Sequence, residues 1–114
     1  MSEGEPVTGM ITSGIWVVAE ERQSAFIEAW SDFATWASNQ AGAATLRLGR
    51  DTTDPTRFVS FGPWESADQV HAWKGHAEFR DRMGRVQQFV DSFHPSELDL
   101  VAWATDGVIT TART

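Results

Sequence analysis

From Phe58 to Phe93 the chain reads FVSFGPWESADQVHAWKGHAEFRDRMGRVQQFVDSF. The segment opens as a strand that is apolar on both faces, Phe58 and Trp64 against Val59 and Phe61, and stops at Pro63-Trp64. A short helix follows, Gly75 breaks it, and a longer amphipathic helix runs on. The same two-sided pattern recurs at both ends of the chain. Ile15 and Val17 alternate with Trp16 and Val18, and Leu98, Leu100 and Ala102 alternate with Val101 and Trp103. A chain of 114 residues makes one domain, and its helices are too few to cover both faces of a sheet. A wet second face would leave an apolar patch of a size monomers rarely expose. Packing that face against a second copy, by the common two-fold route, removes the problem. A homodimer with two sheets facing each other as a barrel is therefore expected.

The remaining elements follow from pattern. Residues 1–9 are acidic and Gly/Pro-bearing and read as a flexible N-terminal tail, residues 10–104 as the domain, and residues 105–114 as a C-terminal arm or tail. A strand over Ile11–Val18 leads into a helix that runs to about Asn39, with Phe26, Trp30, Phe33 and Ala37 on one stripe. Gly42 fits a left-handed helix end. Strands over Ala44–Gly49 and Arg57–Phe61 form a hairpin across the Asp51–Thr56 turn. Ser66 and Gln69 have capping-box spacing. The last helix carries Phe79, Met83, Val86 and Val90 on one stripe, Pro95 marks its exit, and Glu97–Ala104 reads as the final strand. The order β-α-β-β-α-β, with the second helix broken, is an α+β ferredoxin-like layout: an antiparallel sheet with both helices on one face.

Composition removes several function classes. With Cys 0 there is no disulfide, thiolate metal site or Cys nucleophile. A net charge of −7 disfavours a nucleic-acid partner. The apolar runs are too short to span a membrane, and the N-terminal residues lack signal-peptide features, so a cytoplasmic protein is expected. No Gly-x-Ser-x-Gly elbow surrounds Ser13 or Ser60, and no phosphate-binding glycine loop occurs. His71 and His76 are five apart with Gly75 between them, which is wrong for two metal ligands on one helical face, so no metal site is expected. Trp 6, Phe 7 and Tyr 0 form an unusual aromatic set, suited to a core or to the wall of a pocket for a flat ligand.

The runs FVSFGPWESADQVHAW and KGHAEFRDRMGRV resemble the antibiotic biosynthesis monooxygenase domain of the dimeric α+β barrel superfamily. In that family an apolar strand ends near a Trp-Glu/Asp-Ser group. A helix bearing an aromatic, a Gly/His/Pro break and a Glu-Phe helix start then follow. The resemblance covers about Ile11 to Ala104. It implies a pocket between helices and sheet, lined here by Trp30, Phe33, Phe61, Trp73, His76, Phe79 and Met83. It also implies cofactor-free oxygenase chemistry on an aromatic, phenolic, polyketide-like molecule with molecular oxygen, in which Trp73 stacks on the substrate and His76 moves a proton. The quinone-forming members use tyrosines, which this chain lacks. Haem-degrading members carry an Asn on the first strand and a His along the last helix. Ser13, Gly14 and Met83 stand near those places here, so haem degradation of the usual kind is not implied, and a haem-binding protein with altered ligation is the weakest reading.

Each residue also has a plainer reading. Trp73 either stacks on a ligand or plugs the core, and His76 is either a base at the pocket mouth or a capping residue. His71 reads as solvated and His94 as a loop residue. Arg80, Asp81, Arg82 and Arg85 read as a wet helix face with an Asp81–Arg85 pair. Arg47 needs a partner such as Asp99, or a ligand anion, if its face is covered. A non-catalytic ligand-binding or stress-associated barrel with the same pocket is the alternative function.

Overall fold

The computed structural model describes residues 9–111, so the expected tail at residues 1–8 and the last three residues of the arm lie outside it. Strand β1 (Met10–Val17) is followed by a short 3₁₀ turn (Glu20–Arg22) and α1 (Gln23–Ser38). Strands β2 (Arg47–Arg50) and β3 (Arg57–Trp64) form the hairpin. Helices α2 (Ala67–Lys74) and α3 (Ala77–Gln87) meet at the Gly75–His76 break. Strand β4 (Ser92–Asp99) completes an antiparallel sheet of order β2-β3-β1-β4. The fold is the expected α+β ferredoxin-like one. No helix among the described residues is long and apolar enough to cross a membrane.

β1 sits at the centre, paired along all eight residues with β3 on one side and β4 on the other. Register sorts the side chains into two faces. Met10, Thr12, Gly14 and Trp16 lie beside Trp64, Gly62, Ser60 and Phe58 on the helix-covered face. There Met10, Trp16, Phe58 and Trp64 are buried. Ile11, Ser13, Ile15 and Val17 share the opposite face with Val59, Phe61 and Leu98. Phe61 is 45% exposed and Leu98 47%, so the outer face is apolar and uncovered in one subunit. The helix-side core closes around Phe26, Phe33, Ala37 and Val86. Trp16 stacks on Phe93 at 3.9 Å between ring centroids, and Phe26 tilts against both Trp16 and Phe58.

The helix ends follow local chemistry. Ser66 accepts from the Gln69 backbone N–H at 3.3 Å, as its N-cap spacing predicts. Gly42 adopts φ +83°, and a Cβ there would stand 2.1 Å from the Gln69 amide, so this turn accepts only glycine.

The C-terminal strand differs from expectation. β4 begins at Ser92 and runs through His94-Pro95, so neither residue is in a loop. Pro95 faces Gly14, and β4 lies at the edge of the sheet, where a missing N–H costs least. β4 ends at Asp99. Ala102–Thr105 (β5) instead pairs with Val108–Thr111 (β6) as a separate hairpin around Asp106-Gly107, so residues expected as a polar tail form a strand. Both turn residues have positive φ, as a tight two-residue hairpin turn requires. The charged residues also pair differently. Arg47 and Asp99 lie on opposite edge strands and opposite faces, out of reach within one subunit. Asp32 on α1 takes both Arg82, at 2.7 Å, and Arg85, at 3.5 Å, instead of an Asp81–Arg85 pair within α3.

Two predictions follow from this packing. A Cβ at Gly14 would come within 2.7 Å of the Phe93 ring and 2.9 Å of Ser60 Oγ. Gly14→Ala is therefore expected to lower unfolding free energy by about 1–3 kcal/mol in urea titrations, whereas an unchanged midpoint would mean the strand yields freely. In the β2–β3 turn, the Thr53 backbone and hydroxyl, the Asp54 N–H and the Arg57 side chain hold the Asp51 carboxyl down to about 2 from its usual 3.8. The folded state thus binds fewer protons than the unfolded chain in this range. The contribution is complete above about pH 4 and is lost as pH falls towards 2. Asp51→Asn should flatten that part of the stability–pH curve, and an unchanged acid limb would refute the assignment.

Candidate functional site

The helix-side face of the sheet is crowded with aromatics at both ends and sparse in the middle. Thr12, Gly14 and Ser60 occupy neighbouring inward positions there, and their side chains are too small to reach the helices above. A cavity of about 210 Å³ results. Its floor is Thr12, Gly14, Trp16 and Ser60, with Phe93 and Pro95 of β4 at one side. α1 contributes Trp30 and Phe33, α2 contributes Trp73 and Lys74, and α3 contributes Phe79, Met83 and Gln87. Three of these aromatics brace one another. Trp73 lies 5.7 Å from Phe33 and 4.9 Å from Phe79, the latter edge-on, and Trp64 backs it at 4.5 Å.

The polar atoms in this apolar shell are few, and several are already engaged. Thr12 Oγ1 accepts from Trp64 Nε1 at 3.0 Å and donates weakly to the Gly62 carbonyl at 3.4 Å. Ser60 Oγ accepts from Trp16 Nε1 at 2.9 Å, which leaves its own proton free to donate. Trp73 is different. It is 5% exposed, and its indole N–H is buried with no acceptor among the described residues. Leaving such a donor unmet costs about 1–3 kcal/mol, and because the nitrogen itself is sealed off, a bound molecule would meet the indole ring and not its N–H.

The structure gathers six of the seven expected pocket residues at the cavity: Trp30, Phe33, Phe61, Trp73, Phe79 and Met83. Phe61 takes part only from the edge, because its register position puts its ring on the outer face, next to Arg47 and Ser13. His76 does not line the cavity. It is the exposed residue preceding α3, without a side-chain capping bond, and its ring lies edge-on to Trp36 at 5.8 Å. Its place at the helix break, ahead of the α3 axis, turns it towards the surface of α1 instead of under the helices. His71, with a side chain 67% exposed, and His94, an exposed residue on the outer face, are also outside, so none of the three histidines is placed to ligate a haem in the cavity.

Pattern alone missed Thr12, Ser60, Trp16, Phe93 and Lys74. A signal was available for the floor: small residues every second position on β1 and opposite them on β3, flanked by large ones, mark where a sheet face is hollow. Lys74 carried no such signal. Its ammonium meets Glu97 Oε2 of β4 at 2.6 Å, while His71 approaches the other carboxylate oxygen at 3.8 Å. The hydrogen bond from Lys74 is the main cause holding the Glu97 carboxyl below its usual range.

A family model described as antibiotic biosynthesis monooxygenase matches residues 14–85. No curated protein sequence matches the chain. Among solved structures, the chain is similar to SnoaB, a cofactor-independent oxygenase from Streptomyces nogalater, with a TM-score of 0.75 and 13% identity over 87% of this chain and 97% of that one. Rv0793 from Mycobacterium tuberculosis has a TM-score of 0.75 and 12% identity, covering 86% of this chain and 100% of that one. A conserved protein from Methanosarcina mazei gives 0.74 and 9%, with 80% and 91% covered. At such identities the likeness carries the fold, while the family match runs from the middle of β1 to the end of α3 and spans Gly14, Trp30, Phe33, Ser60, Trp73, Phe79 and Met83. The chain belongs to the antibiotic biosynthesis monooxygenase family.

Proposed function

We propose that the chain is a monooxygenase that works without an added cofactor on a small aromatic molecule bearing an ionisable hydroxyl. The observation that carries this reading is a cavity of about 210 Å³ walled by Trp73, Phe33 and Phe79 in a chain of this family. The reaction removes a proton from the substrate, and the resulting anion passes one electron to O₂. Superoxide and the substrate radical then join in a C–O bond. Loss of water from the hydroperoxide leaves a carbonyl, so that one oxygen atom enters the product and the other leaves as water. The cavity supports each step in a limited way. Phe33, Phe79 and the Trp73 indole hold the ring, exclusion of water raises the value of each hydrogen bond, and the Ser60 O–H is free to donate to the developing negative oxygen. Among the described residues neither an imidazole nor a carboxylate lines the cavity, so the proton leaves through the mouth, where Lys74 and Glu97 stand.

That same lack of an internal base favours a second reading, a ligand-binding barrel with no turnover. Oxygen consumption separates the two. We also propose that the subunit works as a homodimer, with Ile11, Ile15, Val17, Val59, Phe61 and Leu98 of each sheet packed on the other copy. Such a face is large and apolar, and the helices of the same subunit cannot reach it.

With anthrone and naphthol substrates, oxygen uptake is expected without added flavin, metal or haem. Trp73→Phe removes part of the indole that packs on Phe33, Phe79 and Trp64 and loosens the cavity wall, so kcat/KM should fall roughly tenfold and thermal stability should fall as well. His76→Ala should leave turnover within about twofold. Binding with no oxygen uptake would select the non-catalytic barrel, and full activity in Trp73→Phe would remove the assigned role. Separately, Phe61→Asp should convert a dimer to a monomer in sedimentation velocity, whereas a wild-type protein that sediments as a monomer would overturn the paired-sheet arrangement.

A further inference from the structure

Among the described residues, Lys74 is the only ionisable side chain lining the cavity. It is the last residue of α2, directly after Trp73, and its ammonium reaches across to Glu97 on the inward side of β4, where Glu97 is the register partner of Thr12. The pair therefore bridges α2 and β4 at the rim of the cavity. An ammonium has three donors, and Glu97 takes one of them at 2.6 Å. Its side chain keeps 30% of its surface exposed, so the ammonium is not sealed away from a ligand. Ser60 Oγ in the floor keeps a free proton to donate, and the side chains of Ser13, Gln87 and Ser96, which also line the cavity, are neutral groups that can donate or accept. A largely apolar cavity whose one charged lining group is a cation is complementary to a flat molecule whose polar end is a negatively charged oxygen.

From this geometry we infer that Lys74 is a ligand-positioning residue, which makes the site selective for aromatic anions over neutral aromatics of the same shape and holds the anionic group at the rim. The size fits. At about 210 Å³ the cavity exceeds the roughly 150 Å³ that holds a benzene ring, so one or two fused rings are enclosed and the charged group stays at the mouth. Glu97 sets the selectivity by competition: it occupies Lys74 in the empty site, and its own charge repels an incoming anion. The inference rests on the cavity being the ligand site, as proposed above, but it does not depend on turnover.

Equilibrium titration with 2-naphthoate and its neutral isostere 2-naphthamide tests it on the full chain. Wild-type protein should bind naphthoate roughly tenfold tighter than the amide, with the advantage shrinking as salt rises. Lys74→Met should abolish the difference while leaving amide affinity within about twofold. Glu97→Gln should tighten naphthoate several-fold and leave the amide alone, a result that a merely structural bridge would not give. Equal affinities in the wild type, a parallel loss of both ligands in Lys74→Met, weaker naphthoate binding in Glu97→Gln, or no binding of either ligand would each overturn it. A failure to consume oxygen with these or other aromatics would count against the monooxygenase alone and leave the selectivity standing.

Discussion

A close-packed interior stays hollow only where its surroundings are too rigid to collapse. In this protein the hollow is fixed by Gly14 and its neighbours. Gly14 is locked in register between β3 and β4, with Trp16, Ser60 and Phe93 already in contact distance of the missing Cβ. The sheet cannot rise there, and the helices cannot descend because Trp16, Phe58 and Trp64 prop them at either end. Backbone hydrogen bonding on both sides of β1 converts a local deficit in side-chain volume into a durable cavity. Everything placed around it, the braced Phe33, Trp73 and Phe79 above all, then becomes the wall of a site instead of filler for a core.

The elements of the fold were legible because the residues that make them act locally. The stripe Phe26-Trp30-Phe33-Ala37, the Ser66 cap and the Gly42 turn each depend on neighbours within a few residues, and each stands where pattern placed it. The C-terminal strand was not legible in the same way. Pro95 looks like a stop signal, yet at a sheet edge its missing N–H breaks no necessary bond, and β4 passes through it. Conversely, the run Leu98 to Trp103 alternates without interruption, but β4 ends at Asp99 and Ala102 pairs forward with Thr111 across a two-residue turn. Alternation tells which residues can share a face; it does not tell which partner strand they take.

The site divides along a similar line. Trp30, Phe33, Phe79 and Met83 face inward because helical periodicity and core-facing direction coincide, so pattern finds them. His76 looked chemically suitable and sits one residue from α3, but a residue that opens a helix after a break is aimed by the break itself, and this one is aimed at Trp36. Phe61 misled in a different manner. It belongs to the strand that floors the cavity, yet period two sends its ring to the far side. Lys74 and Glu97 are 23 residues apart, and only the closing of β4 against β1 brings them together. Contacts of that kind follow from topology, and no local pattern encodes them.

A chain with net charge −7 is an unlikely-looking host for an anion until distance is considered. At physiological ionic strength, charges more than about 8 Å apart through solvent are largely screened. The acidic surface beyond the rim therefore acts weakly on a ligand in the cavity, and the balance is struck by the groups in contact with it. Those groups are an ammonium and a set of neutral hydroxyl and amide side chains, opposed by one carboxylate that the ammonium holds below its usual range. Long-range repulsion lowers the rate of encounter more than it lowers the affinity of the bound state. An acidic exterior and a single cation at the rim of an apolar cavity are thus compatible, and together they favour ligands that present a single negative oxygen on an apolar ring over those that carry charge all around.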